Sequence, residues 1–380
     1  MLGCVIHGRG DLRVEELAPP VPGPGEVLVA VRYGGVCGSD LHYWRHGGVG
    51  DFRLTEPMVP GHEVVGTAVA YGSPTASDPA AGTPVAVHPA TPCGVCPECA
   101  DGRRNVCRDT RYLGSAARTP HVQGGFADLI VVPAAQVRPL PEGLPPRRAA
   151  LAEPLAVALH AVRRAGPVAG RHVLVTGAGP IGCLVVAAAK AAGAARVTVT
   201  DLLPTALGYA RAAGADTVVR ADDPADAGWP AEVEVAVEAS GVAAGLDTCL
   251  RLVRRGGVVV QLGMLPPGQS PFAGNLVVSR EIELRGAFRF DTEFDEALRL
   301  LAAEPAFDAL VSAVVPVRDA ESAFALAADR GRSCKVLLDF GDPTHRPAPS
   351  PSPFPGRGTE TDAGADAGGA GAGRCAGSGP

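Results

Sequence analysis

Runs rich in Val and Ala at 26–33, 63–70 and 83–88 alternate with breaks rich in Gly and Pro over the first third of the chain. Runs of that length, bounded by turn formers, predict short β-strands, so this region reads as mostly β. From about residue 171 the texture changes. Apolar runs at His172–Thr176, Arg196–Thr200 and Asp216–Val219 are separated by Ala/Leu-rich stretches at 180–192 and 204–213, which predicts strands alternating with helices. Val233–Glu238 and Val258–Leu262 read as further buried strands, with helices at 292–303 and 319–329 after them. Such alternation predicts parallel βαβ units.

Beyond Asp342 the chain turns Pro/Ser-rich and then Gly/Ala-rich, without hydrophobic periodicity. That composition buries too little apolar surface to offset its ordering entropy, so 343–380 is expected to be a disordered tail and its Cys375 an incidental exposed thiol.

A chain of 380 residues, 46% hydrophobic, is long enough for two domains with sizeable cores. The net charge of −6 comes from interleaved acids and bases with no Lys/Arg block, so neither nucleic acid nor a membrane surface is expected as a partner. The first residues lack the basic start and long apolar core of a secretory signal, and no apolar run reaches the roughly 20 residues that cross a bilayer. A cytoplasmic protein is expected. Four of the ten cysteines crowd into 93–107, and in a reducing compartment such clusters bind metal more often than they form disulfides.

That cluster reads Cys93-x2-Cys96-x2-Cys99-x7-Cys107, a compact lobe able to wrap four thiolates around one ion. Zinc held this way has no open position and is structural. An iron–sulfur cluster is the competing occupant, since it too takes four thiolates. A second, dispersed set comprises Cys37, His62, Glu63 and Glu153. Mixed Cys, His and carboxylate ligands leave a position open, as a catalytic zinc requires. Cys4, Cys183, Cys249 and Cys334 sit among apolar residues and read as core. His7, His46, His88, His121, His160, His172 and His345 have no such context and read as structural or exposed.

The run His172–Thr176 leads directly into Gly177-Ala-Gly179-Pro180-Ile181-Gly182 and an Ala-rich helix. This is G-x-G-x-x-G in the strand-to-helix setting that binds a dinucleotide: glycines for the turn, for pyrophosphate approach and for close packing, and a helix N-terminus for the charge. Asp201 ends the next strand, where a carboxylate meets the ribose 2′-hydroxyl. Leu202, Leu203 and Pro204 follow it without a cation for a 2′-phosphate, which favours NAD, with NADP as the alternative.

These residues together resemble the zinc-containing medium-chain dehydrogenases. The segments that carry the resemblance are Cys37–Trp44, Gly61–Glu63, the Cys93–Cys107 lobe, Glu153–His160 and Gly286–Phe290. They look like the branch that holds sorbitol, xylitol and L-idonate dehydrogenases. Tyr112–Ser115, Pro120–Phe126 and Gly182–Leu184 lean toward L-idonate 5-dehydrogenases. The resemblance covers about residues 1–340 and implies a GroES-like β-rich catalytic domain, 1–148 completed by 286–342, joined to a Rossmann domain at 149–285. It implies one catalytic and one structural zinc, with Cys37, His62, and Glu63 or Glu153 at the former.

By the same resemblance, Ser39 and His42 form a proton relay, and Tyr43 and Arg289 face the substrate. The implied activity is oxidation of a secondary hydroxyl, that of C5 of L-idonate foremost, with a neutral polyol or threonine as other substrates. A sugar acid or polyol is then the small-molecule partner, and a homo-oligomer, dimer or tetramer, is expected. A catalytically silent cofactor-binding protein would have lost the ligand set, which is intact here. Gln123 departs from the family pattern, where an acid is usual.

Overall fold

The computed structural model describes residues 1–224 and 228–342. The expected tail at 343–380, with Cys375, lies outside the described residues, as does the segment 225–227.

Two sheets organise the chain. In the first, strand Glu26–Gly35 lies at the centre, with Glu63–Tyr71, Pro84–Val87 and Val137–Pro139 to one side and Lys335–Asp339 and Val311–Pro316 to the other; Leu129–Pro133 also pairs with it. Alternating Val and Ala on these strands bury one face against Phe126, Phe324, Met58 and Ile6. The last strand, Lys335–Asp339, returns across the length of the chain to pair antiparallel with Glu26–Gly35, Leu337 opposite Gly35.

The second sheet has six parallel strands in the order Thr217–Arg220, Arg196–Asp201, His172–Thr176, Val233–Glu238, Val253–Gln261 and Glu283–Gly286. In sequence order that is 3-2-1-4-5-6, the doubly wound arrangement, whose topological switch point beside the first strand is where a dinucleotide binds. The strands are apolar on both faces because helices cover both. Helices Ala152–Ala165, Pro180–Ala191 and Phe294–Ala303 pack with one face, and Leu246, Cys249 and Leu250 of helix Ala243–Leu252 with the other.

The strand and helix expectations for 26–33, 63–70, 172–176, 180–192, 204–213 and 233–238 agree with the observed elements to within about two residues. Helix Ala152–Ala165 has no counterpart in the hydrophobic reading. It is nearly all buried, with its polar positions other than Glu153 gathered toward its end at His160, Arg163 and Arg164. Among the described residues no helix is long and apolar enough to cross a membrane. Cys4, Cys183, Cys249 and Cys334 are all buried, as expected of core thiols.

Candidate active site

The four cysteines of the lobe converge. Their sulfurs all lie within 4.8 Å of one another, with Cys93 and Cys107 at 3.5 Å and Cys96 and Cys107 at 3.7 Å. A tetrahedral ion with metal–sulfur bonds of about 2.3 Å needs sulfur–sulfur edges of roughly 3.8 Å, so this cage fits one zinc. A cluster of several irons would hold its thiolates farther apart, and the geometry disfavours that occupant. The Cys93 and Asp109 amides donate to the Cys107 sulfur.

The dispersed set also assembles. Ligand atoms of Cys37, His62 and Glu63 lie within 4.8 Å of one another. Cys37 caps the N-terminus of helix Gly38–His46, at the positive end of the helix dipole. His62 and Glu63 follow Gly61, whose φ of 97° makes the turn and whose Cβ, if present, would strike Phe126 at 2.2 Å. Burial works against a charge on His62, yet Cys37, Asp40 and Glu153 together draw its pKa up to about 10. A buried nest of anionic groups that pulls so hard on a proton is matched to a divalent cation, and the donor set suits zinc.

Asp40 is completely buried. It accepts hydrogen bonds from the amides of Cys37 at 2.9 Å and Gly61 at 3.1 Å, and stands 3.9 Å from His62 Nδ1. It therefore ties the segments carrying two ligands together through their amides. Glu63 is held from behind: Lys335 Nζ donates to both of its carboxylate oxygens at 2.7 Å.

Glu153, at the start of helix Ala152–Ala165, accepts the Tyr112 hydroxyl at 2.6 Å, and burial raises its pKa. Burial and the facing Glu153 hold the Tyr112 hydroxyl protonated. The Arg289 guanidinium lies 4.1 Å over the Tyr112 ring and 4.8 Å over Phe288; burial lowers its pKa while Tyr112, Glu153 and Tyr43 favour its charge. Tyr43 is only 3% exposed, and its hydroxyl accepts the Ala116 amide at 3.0 Å. Ser39 is partly buried and His42 exposed, one turn apart on helix Gly38–His46.

At the second sheet, Gly177, Gly179 and Gly182 differ in the space around them. Gly177 has φ 92°, a Cβ on Gly182 would stand 1.9 Å from the Gly177 carbonyl oxygen, and a Cβ on Gly179 would meet open space. That open space lies in front of the N-terminus of helix Pro180–Ala191, with Pro180 and Ile181 in its first turn, and is where a pyrophosphate fits. Asp201 ends its strand and accepts the Ala178 amide at 2.8 Å and the Leu203 amide at 2.9 Å. The expectation that no cation stands near Asp201 needs correction. The sheet sets Arg220 directly opposite it, although that guanidinium grips Asp222 in a bidentate pair at 3.0 and 2.6 Å.

Sequence reasoning left Asp40, Tyr112 and Lys335 without a role. Asp40 and Tyr112 stand inside segments that were singled out, and a buried acid within a Cys-x-x-Asp turn was the available signal. Lys335 had none. Gln123, the departure from the family pattern, accepts the Val59 amide at 2.7 Å, a bond that an acid would make equally well.

Two family models match the chain: an alcohol dehydrogenase GroES-like domain over residues 23–142 and a zinc-binding dehydrogenase domain over 180–303. The L-idonate 5-dehydrogenase (NAD(P)(+)) of Escherichia coli K12 is 40% identical over 343 residues, 89% of this chain and 98% of that protein. Its crystal structure superposes with a TM-score of 0.83 at 38% identity, covering 89% of this chain and 97% of that one. Sorbitol dehydrogenase of Gallus gallus is 36% identical over 353 residues, 90% of this chain and 97% of that protein. An alcohol dehydrogenase from Escherichia coli CFT073, solved with cofactor NADH, matches with a TM-score of 0.80 at 28% identity, over 89% of this chain and 99% of that one.

Proposed function

This chain belongs to the zinc-binding, GroES-like alcohol dehydrogenases, and from that premise we propose that it oxidises the C5 hydroxyl of L-idonate to 5-keto-D-gluconate. It is an oxidoreductase whose cofactors are zinc and NAD(P). The observation that carries the substrate assignment is Arg289, a guanidinium stacked on Tyr112 beside Glu153 at the metal donors. A planar, permanently charged fork at that place suits the carboxylate of a sugar acid, for which a neutral polyol has no counterpart.

Cys37 and His62, with Glu63 or Glu153, are the proposed ligands of the catalytic zinc, and Cys93, Cys96, Cys99 and Cys107 those of the structural one. When bound, zinc supplies Lewis-acid polarisation of the substrate hydroxyl. Asp40 joins the backbone segments that carry Cys37 and His62, and Lys335 fixes Glu63. Glu153 holds the Tyr112 hydroxyl, which sets the ring under Arg289. Ser39 accepts the hydroxyl proton and His42, exposed to solvent, passes it on. NAD would be held with its pyrophosphate at the Gly177–Gly182 loop and its adenosine ribose at Asp201, and when bound it would supply the hydride acceptor. NAD is the proposed preference, because Arg220 is already committed to Asp222.

A homo-oligomer is part of the same reading. The strand Glu283–Gly286 ends the parallel sheet with one edge unpaired among the described residues and Leu284 38% exposed, a surface that a second copy can extend. Four thiols kept free for metal suit the cytoplasm.

Initial rates of NADH or NADPH formation on L-idonate, sorbitol, xylitol and threonine test the assignment. Preference for L-idonate with NAD upholds it. Preference for a neutral polyol keeps the chemistry and overturns the Arg289 role.

A further inference from the structure

We infer that Asn105, His160 and Glu293 form a relay of hydrogen bonds by which the cysteine lobe positions Arg289 for an anionic substrate. The inference rests on the proposed grip of Arg289 on a carboxylate and adds what holds that residue in place.

Arg289 has φ 52°, a left-handed backbone that a non-glycine residue keeps only where its surroundings impose it. Its neighbours impose it from two sides. Asn105 Nδ2 donates to the Phe288 carbonyl at 2.9 Å, immediately before Arg289. Glu293 Oε2 accepts the Asp291 amide at 2.8 Å, two residues after it. Between these clamps stands His160, its Nε2 3.3 Å from Asn105 Nδ2 and its Nδ1 3.0 Å from Glu293 Oε1. Arg104 adds a bond from Nε to Asp291 Oδ1 at 2.9 Å.

The donors and acceptors of the relay close on one arrangement. The two amide hydrogens of Asn105 go to the Phe288 oxygen and to His160 Nε2, so His160 accepts on Nε2 and donates from Nδ1 to Glu293. Glu293 is 3% exposed; burial alone would raise its pKa, but His160 and the Asp291 amide prevail and bring it to about 2, an acceptor at any working pH. Each member therefore has its partner, and a polar network satisfied in full around the buried Glu293 fixes geometry closely.

The placement in the chain gives the relay its meaning. Asn105 lies in the turn Arg104–Val106, between lobe cysteines Cys99 and Cys107. His160 lies two turns past Glu153 on helix Ala152–Ala165. The lobe thus reaches the same short segment, Phe288–Glu293, that presents the guanidinium over Tyr112. A loop closed on a metal is a rigid support, and here it acts on substrate recognition as well as on folding.

The test compares zinc-loaded wild type with Asn105→Ala and His160→Ala. Initial rates on L-idonate, zinc content, and hydrogen–deuterium exchange of peptides spanning 286–293 are measured, with Arg289→Ala as the reference. Both relay variants are expected to raise KM about tenfold, the worth of roughly one hydrogen bond to a charged group. Their kcat stays within about twofold of wild type, since the hydride and proton steps are untouched. Faster exchange across 286–293 accompanies the rise. His160→Ala lies outside the lobe and decides the matter if Asn105→Ala loses zinc. Unchanged KM and exchange in the relay variants, with KM raised in Arg289→Ala, overturns this inference alone. An unchanged KM in Arg289→Ala overturns the carboxylate reading beneath it.

Discussion

Lys335 Nζ donates to both carboxylate oxygens of Glu63 at 2.7 Å, from a strand that lies 272 residues along the chain. The two side chains meet beside Gly35, whose backbone pairs with Glu63 on one side and with Leu337 on the other. A Cβ on Gly35 would stand 2.0 Å from Glu63 Oε2, so the pair occupies space that only glycine leaves. Burial disfavours the charge on Lys335, and Glu63, followed by Cys37, restores it. The consequence is a metal-site carboxylate with its own counter-ion, held rigidly at the edge of the donor set.

In the zinc-free protein, removing that counter-ion leaves the charge of the buried Glu63 stranded. Lys335→Met is therefore expected to cost about 3–5 kcal/mol of folding stability, the usual result of breaking a buried pair from one side. Chemical denaturation with zinc content measured in parallel checks it. The double variant Lys335→Met with Glu63→Gln should recover most of the loss, because no uncompensated charge remains. Recovery absent from the double variant would locate the cost in packing of the lysine stem instead.

The cysteine lobe is predicted to hold its metal independently of the catalytic set. Cys96→Ser replaces a buried thiolate ligand and should remove one zinc equivalent per chain while the other stays bound. A fall in thermal stability should accompany it, since binding free energy at such a site is folding free energy. Metal analysis after dialysis decides the point: loss of both zincs, or of neither, contradicts it.

Cofactor choice turns on Asp201 and Arg220, which face each other across neighbouring strands. Asp201→Ala removes the carboxylate proposed for the ribose 2′-hydroxyl. It should lower kcat/KM for NAD by about tenfold or more, in line with the loss of a charge-assisted hydrogen bond. NADP should suffer less, because its 2′-phosphate no longer faces an anion. Asp222→Ala is the complementary variant. It frees the Arg220 guanidinium from its bidentate partner and should improve NADP use selectively. Equal effects on both cofactors would show that neither residue reads the 2′ position.

What was legible in the sequence followed from spacing. The lobe announces itself because four cysteines within fifteen residues close a loop locally, and Gly177–Gly182 does so because strand, turn and helix are contiguous. Cys37, His62 and Glu63 were legible as motif segments, and the sheet supplied their convergence. The relationships that escaped are those made by distant strands and packed surfaces. Nothing near Glu63 in sequence points to Lys335, and nothing near Asp201 points to Arg220. His160 looked contextless because its partners, Asn105 and Glu293, lie 55 and 133 residues away. A linear reading finds ligands better than it finds what holds the ligands.

His42 offers the sharpest test of the proton path. It stands exposed midway along the helix that Cys37 caps, and partial burial, followed by His46 and Arg330, lowers its pKa below the usual imidazole value. A relay group must be neutral to accept the proton arriving from Ser39, so a lowered pKa keeps it competent into mildly acidic solution. Turnover limited by proton release should then rise with pH through a midpoint below about 6.5 and level off above it. His42→Ala should reduce kcat by roughly tenfold or more, remove that acidic limb, and leave zinc content unaltered, because His42 is outside the donor set. Added imidazole should restore part of the rate. A variant whose pH profile and rate match wild type would remove His42 from the path and leave Ser39 to exchange its proton with water directly.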